Sequence, residues 1–210
     1  MTDSYTTVSS VGSAEILISK SRFIGYAAPC STEEEALAFL DSIRNEHKSA
    51  KHHCFAYIIG ENSGIMRYSD DGEPGGTAGL PIMDVLKNKN VVNCCIVVVR
   101  YFGGILLGTG GLVRAYTKAA QSAMDASGVV RMELTSDDCC QIPYAQWDRF
   151  RYAADHLPVR LENVEYSSSV SFHLLYRSAD GADILPRLLE ASERKMITVS
   201  TAESYSAWLI

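Results

Sequence analysis

The 210-residue sequence predicts an α+β protein built as two successive domains, and three observations carry that reading. A β-branched run, a glycine-rich loop and an amphipathic helix follow one another over residues 94–124. The apolar pattern then resets at Ser127-Gly128, where a helix ends and a boundary between independently folding parts is natural. Beyond the reset, segments alternate in the order strand, helix, strand, strand, helix, strand, which is the ferredoxin-like order. The division that follows is 1–130 and 131–210.

Taken in order, residues 1–13 are small and polar and read as a loosely held arm. Residues 15–29 have strand character, interrupted by Lys20-Ser21-Arg22. Arg22 reads either as a solvated edge residue or as a group reaching the glycine loop. Ser31 or Thr32, followed by Glu34 or Glu35, forms a capping-box pattern. Ala36, Leu37, Leu40 and Ile43 then supply the stripe of a helix that ends near His47. Lys51-His52-His53 leads into a strand at 54–59, which pairs as a hairpin with 65–68. Neighbouring strand residues point to opposite faces, so at most one of His52 and His53 serves any given site. Either histidine also suits a hydrogen-bonded strand end. Pro81 opens a short helix carrying Ile82, Val85 and Leu86.

The next strand begins at Cys94 and is the most apolar run of the chain. Gly103, Gly104, Gly108, Gly110 and Gly111 follow within nine positions, with Thr109 among them. Leu112, Tyr116, Ala119, Ala120 and Ala123 then recur at helical spacing, with Arg114 and Lys118 on another face. A glycine-rich loop entering a helix presents unpaired N–H groups at a positive helix end, which attracts anions. The same glycines also suit tight helix–strand packing, and the two readings stand equal on local chemistry. Neither nucleotide fingerprint is present: Gly110-Gly111 leads into Leu112 rather than Lys-Ser/Thr, and Val113 stands where a third dinucleotide glycine would be.

A second unusual loop, 69–79, sets Ser69, Asp70, Asp71 and Glu73 among Gly72, Gly75, Gly76 and Gly79. Such carboxylates hold a cation, activate water, or fix a loop by accepting backbone N–H groups. The pattern of a known metal site is missing, so no metal or cofactor is expected. In the second domain strands are expected at 131–142, 160–166, 170–177 and 196–210, with helices at 145–157 and 180–193. Trp147, Phe150 and Tyr152 suit either base stacking or a core, and Arg149 and Arg151 a solvated face.

A net charge of −6 excludes an indiscriminate nucleic-acid coat, although a local patch at Arg100, Arg114 and Lys118 remains compatible with it. Neither a signal peptide nor an apolar run of about 18 residues is visible, which points to the cytoplasm and away from a membrane. Of the six cysteines, four form adjacent pairs and none a C-x-x-C, so they read as small apolar residues.

Four blocks in order resemble the Impact/YigZ family: Lys20-Ser21-Arg22-Phe23-Ile24, Lys51-His52-His53-Cys54, the run 69–79 (SDDGEPGGTAG), and the run 100–112 (RYFGGILLGTGGL). The resemblance implies a first domain like domain 2 of ribosomal protein S5, followed by the ferredoxin-like domain of the family's bacterial branch. It also implies a translational role, as in the eukaryotic members, whose regulatory partner binds an extra N-terminal domain that the few residues before Glu15 do not supply. The leading expectation is a non-enzymatic RNA- or ribosome-associated regulator of translation, acting through the glycine loop with Arg22, Arg100, Arg114 and Lys118. The alternative is an enzyme acting on a phosphorylated or nucleotide small molecule. There the glycine loop would hold phosphate, and His53, Asp70, Asp71 and Glu73 would supply acid–base groups. A plain protein-interaction module is the third.

Overall fold

The computed structural model describes residues 3–208. Contacts divide the chain into two units, Met1–Arg131 and Met132–Ile210. Both are α+β with antiparallel sheets, the class the sequence predicts.

In the first unit β1 (Ser4–Val8), β2 (Gly12–Ile18), β3 (Ser21–Pro29), α1 (Glu33–Glu46), β4 (His52–Ile59), β5 (Ile65–Ser69), α2 (Gly79–Asn88), β6 (Cys94–Tyr101) and α3 (Gly108–Ser127) follow in order. The sheet runs β2-β3-β6-β4-β5, with every neighbouring pair antiparallel. The central strand explains its own composition. Cys94, Ile96 and Val98 face the cluster that contains Ile82, Leu86, Tyr116 and Ala120 of α2 and α3. Cys95, Val97 and Val99 face the cluster of Leu40 and Ile43 on α1. A strand covered on both faces has no polar side, so β6 is an unbroken apolar run. Burying each such side chain stabilises the fold by about 1.5–3 kcal/mol.

The caps and turns follow the local chemistry. Thr32 Oγ1 accepts from Glu35 N at 3.2 Å, while Ser31 N donates to Glu35 Oε2 at 2.7 Å. Ser19 and Lys20 both take positive φ, 46° and 64°, which gives the two-residue hairpin between β2 and β3. The expected polar arm is corrected over the described residues: 4–8 form β1 and β2 already begins at Gly12, while 1–2 lie outside the described residues. Val92 N donates to Thr6 O at 2.9 Å and Thr7 Oγ1 to Asn93 O at 3.1 Å, with Val8 buried. Partners more than eighty residues away hold this strand, and no local pattern announces them.

The second unit takes β7 (Val129–Ile142), α4 (Tyr144–Ala154), β8 (Val159–Tyr166), β9 (Val170–Arg177), α5 (Gly181–Ala191) and β10 (Ile197–Ala207). The spatial order β10-β7-β9-β8, antiparallel throughout, is the ferredoxin-like arrangement. The final expected strand extended to residue 210, and 209–210 lie outside the described residues. Trp147 and Phe150 are core: their ring centroids lie 5.2 and 5.0 Å from that of Phe172. Tyr152 is exposed, and Arg149 Nη1 sits 3.7 Å from Glu193 Oε1 on the solvated face.

Candidate functional site

The 69–79 loop is organised by one carboxylate. Asp70 Oδ1 accepts from Ala78 N at 3.0 Å and Gly79 N at 2.8 Å, while Oδ2 accepts from Gly76 N at 2.8 Å. Ala78 is the residue before α2, and it carries no side chain able to cap the helix, so Asp70 caps it from across the loop. Burial alone would push this carboxyl up, but the three N–H donors outweigh it and hold the pKa below the ordinary carboxylate value. Gly79 admits the approach: a Cβ there would lie 2.7 Å from the Ser69 carbonyl carbon.

Asp71 takes φ of 42° and Gly72 of 85°, an unusual pair of left-handed residues. What holds Asp71 there is a set of local bonds. Its own N–H donates to Ser69 Oγ at 3.1 Å, and its carboxylate accepts from His53 N at 2.6 Å. Its carbonyl meets His52 Nδ1 at 2.8 Å.

Glu73 turns inward. Its Oε1 accepts from Arg100 Nη1 at 2.7 Å and from Tyr116 OH at 2.8 Å, with the Arg100 and Glu73 side chains 7% and 3% exposed. Beside them Cys54 Sγ donates to Asp70 O at 3.0 Å, and burial pushes that thiol up to about 12. Burial also drives the Tyr116 phenol far above its ordinary value, so it stays a neutral donor. This cluster joins β6, α3 and the acidic loop across the face covered by α2 and α3. It also corrects the reading of Arg100 as part of an exposed basic patch with Arg114 and Lys118. Position 100 lies opposite Phe23 in the ladder, so its side chain falls under α3, where Glu73 compensates its charge.

The glycine loop after β6 divides in two. Its first part packs: a Cβ on Gly103 would come 2.0 Å from the Lys20 carbonyl carbon, and Gly103 N donates to Ser21 Oγ at 3.2 Å. The second part is open. Gly104 and Gly108 take φ of 83° and 67°, and a Cβ on Gly110 would meet nothing within 4 Å. Gly108, Thr109 and Gly110 are exposed at the start of α3, with Gly111 half-buried against Leu107. Arg114 and Lys118 are exposed on the same helix. Phe102, Ile105 and Leu106 are also exposed, Leu106 to 87%.

Two expected members lie on the opposite face of the sheet. His53 pairs with Val99 in the ladder and so faces α1, where its Nε2 meets His47 O at 3.2 Å. Burial lowers its pKa against the smaller pull of that carbonyl and of Asp71. Arg22 pairs with Tyr101, stacks 5.5 Å from its ring and bridges to Glu15 at 2.8 Å. Here too the expectation is corrected: Ser21, one residue earlier and one face over, is what touches the glycine loop. His47 completes this second cluster, with Tyr26 OH at 2.6 Å and Tyr101 OH at 2.9 Å. Sequence reasoning missed Ser21, His47 and the polar role of Tyr116. The only signal for Tyr116 was a phenol in a helix stripe otherwise made of Leu and Ala.

Among the described residues no group of three His, Cys, Asp or Glu is placed to hold a metal ion, and no helix is long and apolar enough to cross a membrane. The Impact N-terminal domain family matches residues 19–124, a span that contains both loops. IMPACT family member YvyE of Bacillus subtilis (strain 168) is 42% identical over 172 residues, covering 82% of this chain and 79% of that one. IMPACT family member YigZ of Escherichia coli (strain K12) is 35% identical over 188 residues, covering 89% and 92%. A crystal structure described as that of a hypothetical protein superposes with a TM-score of 0.62, at 33% identity over 94% of this chain and 97% of its own.

Proposed function

The chain belongs to the Impact family, and from that premise we propose a non-enzymatic, cytoplasmic protein that associates with RNA or the ribosome and modulates translation. The observation that supports it is how the two glycine-rich loops use their polar groups. Asp70, Asp71 and Glu73 all spend their carboxylates on backbone N–H groups or on Arg100 and Tyr116. An enzyme working through them would first have to dismantle its own loop. The start of α3 is the opposite case. Gly108, Thr109 and Gly110 face solvent, and Arg114 and Lys118 follow without an ion-pair partner among the described residues.

A helix N-terminus with exposed N–H groups and two cations beyond it suits phosphates displayed along a backbone. The exposed Ile105 and Leu106 beside it offer apolar area that a ribosomal surface would cover. The translational role itself rests on the family resemblance.

The test is co-sedimentation with ribosomes and titration with generic RNA at two salt concentrations, with denaturant unfolding in parallel. Arg114→Glu should weaken binding far more than Arg149→Glu. Stability should stay within about 0.5 kcal/mol of the parent, as for an ordinary exposed site. The salt slope should correspond to a few displaced phosphates only. Unchanged binding in the Arg114→Glu variant would place the contact elsewhere and end this reading.

A further inference from the structure

At the end of the first unit's sheet, where β4 enters and β6 leaves, there is a cavity of about 330 Å³. Its lining is Ser49, Lys51, His52, Arg100, Tyr101 and Phe102. We infer that this cavity is a phosphate-binding pocket shaped for a nucleotide-sized phosphomonoester, separate from the α3 surface.

The donors come from the β4–β6 ladder and from the connection before β4. His52 and Arg100 are directly opposite one another in the β4–β6 ladder, so both project to the same face. Ser49 and Lys51 come from the connection before β4, and both are exposed. Tyr101 and Phe102 close the β6 side. No carboxylate is among these six residues. Glu73 takes Arg100 Nη1 from behind, but Arg100 Nε is buried without a partner among the described residues. His52 Nδ1 is committed to the Asp71 carbonyl, so its Nε2 is the nitrogen left for a ligand.

Cationic donors converging from separate elements on a half-enclosed space match a tetrahedral anion, which offers acceptors in every direction. A planar carboxylate would use one side only. The cavity is also larger than phosphate needs and lies within the range of small-molecule sites. Phe102 accounts for the extra room. Its ring lies 5.5 Å from the Arg100 guanidinium, is 55% exposed, and offers a face on which a base can stack. The phosphate can belong to a free nucleotide or to the phosphorylated end of an RNA strand, and both present the same group.

The test uses the full chain, with calorimetric titration of inorganic phosphate, AMP, and a short oligoribonucleotide bearing either a 5′-phosphate or a 5′-hydroxyl. Phosphate and AMP should bind the parent protein in the millimolar range or tighter. Lys51→Glu should weaken both by about tenfold or more without changing the melt of the free protein. Lys51→Ala gives a second reading should the charge reversal disturb folding. Lys87→Glu, an exposed reversal in the last turn of α2, should leave binding intact. Phe102→Ala should weaken AMP and spare inorganic phosphate. Tighter binding of the 5′-phosphorylated oligonucleotide than of AMP, with none for the 5′-hydroxyl form, identifies the RNA end as the source. AMP binding better than either oligonucleotide identifies the free nucleotide. No binding of phosphate or AMP by the parent, or equal binding by parent and both Lys51 variants, overturns the pocket. Ribosome co-sedimentation of Lys51→Glu keeps the two ideas apart, because normal sedimentation with lost phosphate binding leaves the α3 surface standing.

Discussion

The 69–79 loop and the 103–111 loop are similar in composition and opposite in use. In the first, glycines let the backbone fold onto itself so that Asp70 gathers three N–H groups and Glu73 reaches a buried arginine. In the second, Gly103 is pressed against the Lys20 backbone and Gly111 against Leu107, while Gly104, Gly108 and Gly110 face open space. Polar groups spent inside a loop stabilise it, whereas donors and cations left unspent at a helix start remain available to a partner. The difference separates a structural loop from a recognition loop, although both are rich in glycine.

The largest effect expected from breaking this contrast is at Glu73. Glu73→Ala leaves the Arg100 guanidinium buried without its carboxylate and Tyr116 without its acceptor. Removing one partner of such a pair costs about 3–5 kcal/mol, measured as a lowered denaturant midpoint. A normal midpoint would show that the acidic loop is not structural after all.

Gly103→Ala comes next. The added carbon would collide with the Lys20 backbone, so the β2–β3 hairpin must shift, at a cost of about 3 kcal/mol. Gly110→Ala tests the other half of the same loop. It meets no atom and φ is not positive there, so alanine should stabilise α3 by about 0.5–1 kcal/mol. Stabilisation combined with weakened ribosome binding would mark a backbone that a ligand approaches closely.

Between these in size, Asp70→Ala should cost about 2 kcal/mol, because it uncaps α2 and strands three donors. It carries a pH signature as well. The folded pKa of Asp70 lies below its unfolded value of about 3.9, so its contribution is complete above that pH. The contribution fades as pH falls through the folded value. Acid unfolding followed by circular dichroism should therefore be less steep in Asp70→Ala than in the parent. Identical acid limbs would mean that the carboxylate is not what the loop depends on.

Much of this was legible in the residues because the responsible chemistry is local. The Thr32–Glu35 cap, the two-faced apolar run of β6, the helical stripe of α3 and the strand–helix order of the second unit each depend on neighbours within a few positions. Fixing the loop by accepting backbone N–H groups is one of the three uses the sequence offers for Asp70, and its three hydrogen bonds are of that kind. Arg100 was not legible. An arginine ending an apolar strand reads as a surface residue, and only a carboxylate 27 positions earlier makes its burial affordable.

Local pattern was enough, then, to determine the α+β class, the strands and helices other than β1, and the presence of two special loops. The tertiary structure decided which side chains share a site. Each strand residue points up or down according to a register set by partners far along the chain. A shift of one position separates Ser21 from Arg22 and His52 from His53, placing the first of each pair beside the loops and the second on the opposite face of the sheet. Composition around a single strand carries no information about that choice, because the choice belongs to the pairing of β3, β6 and β4.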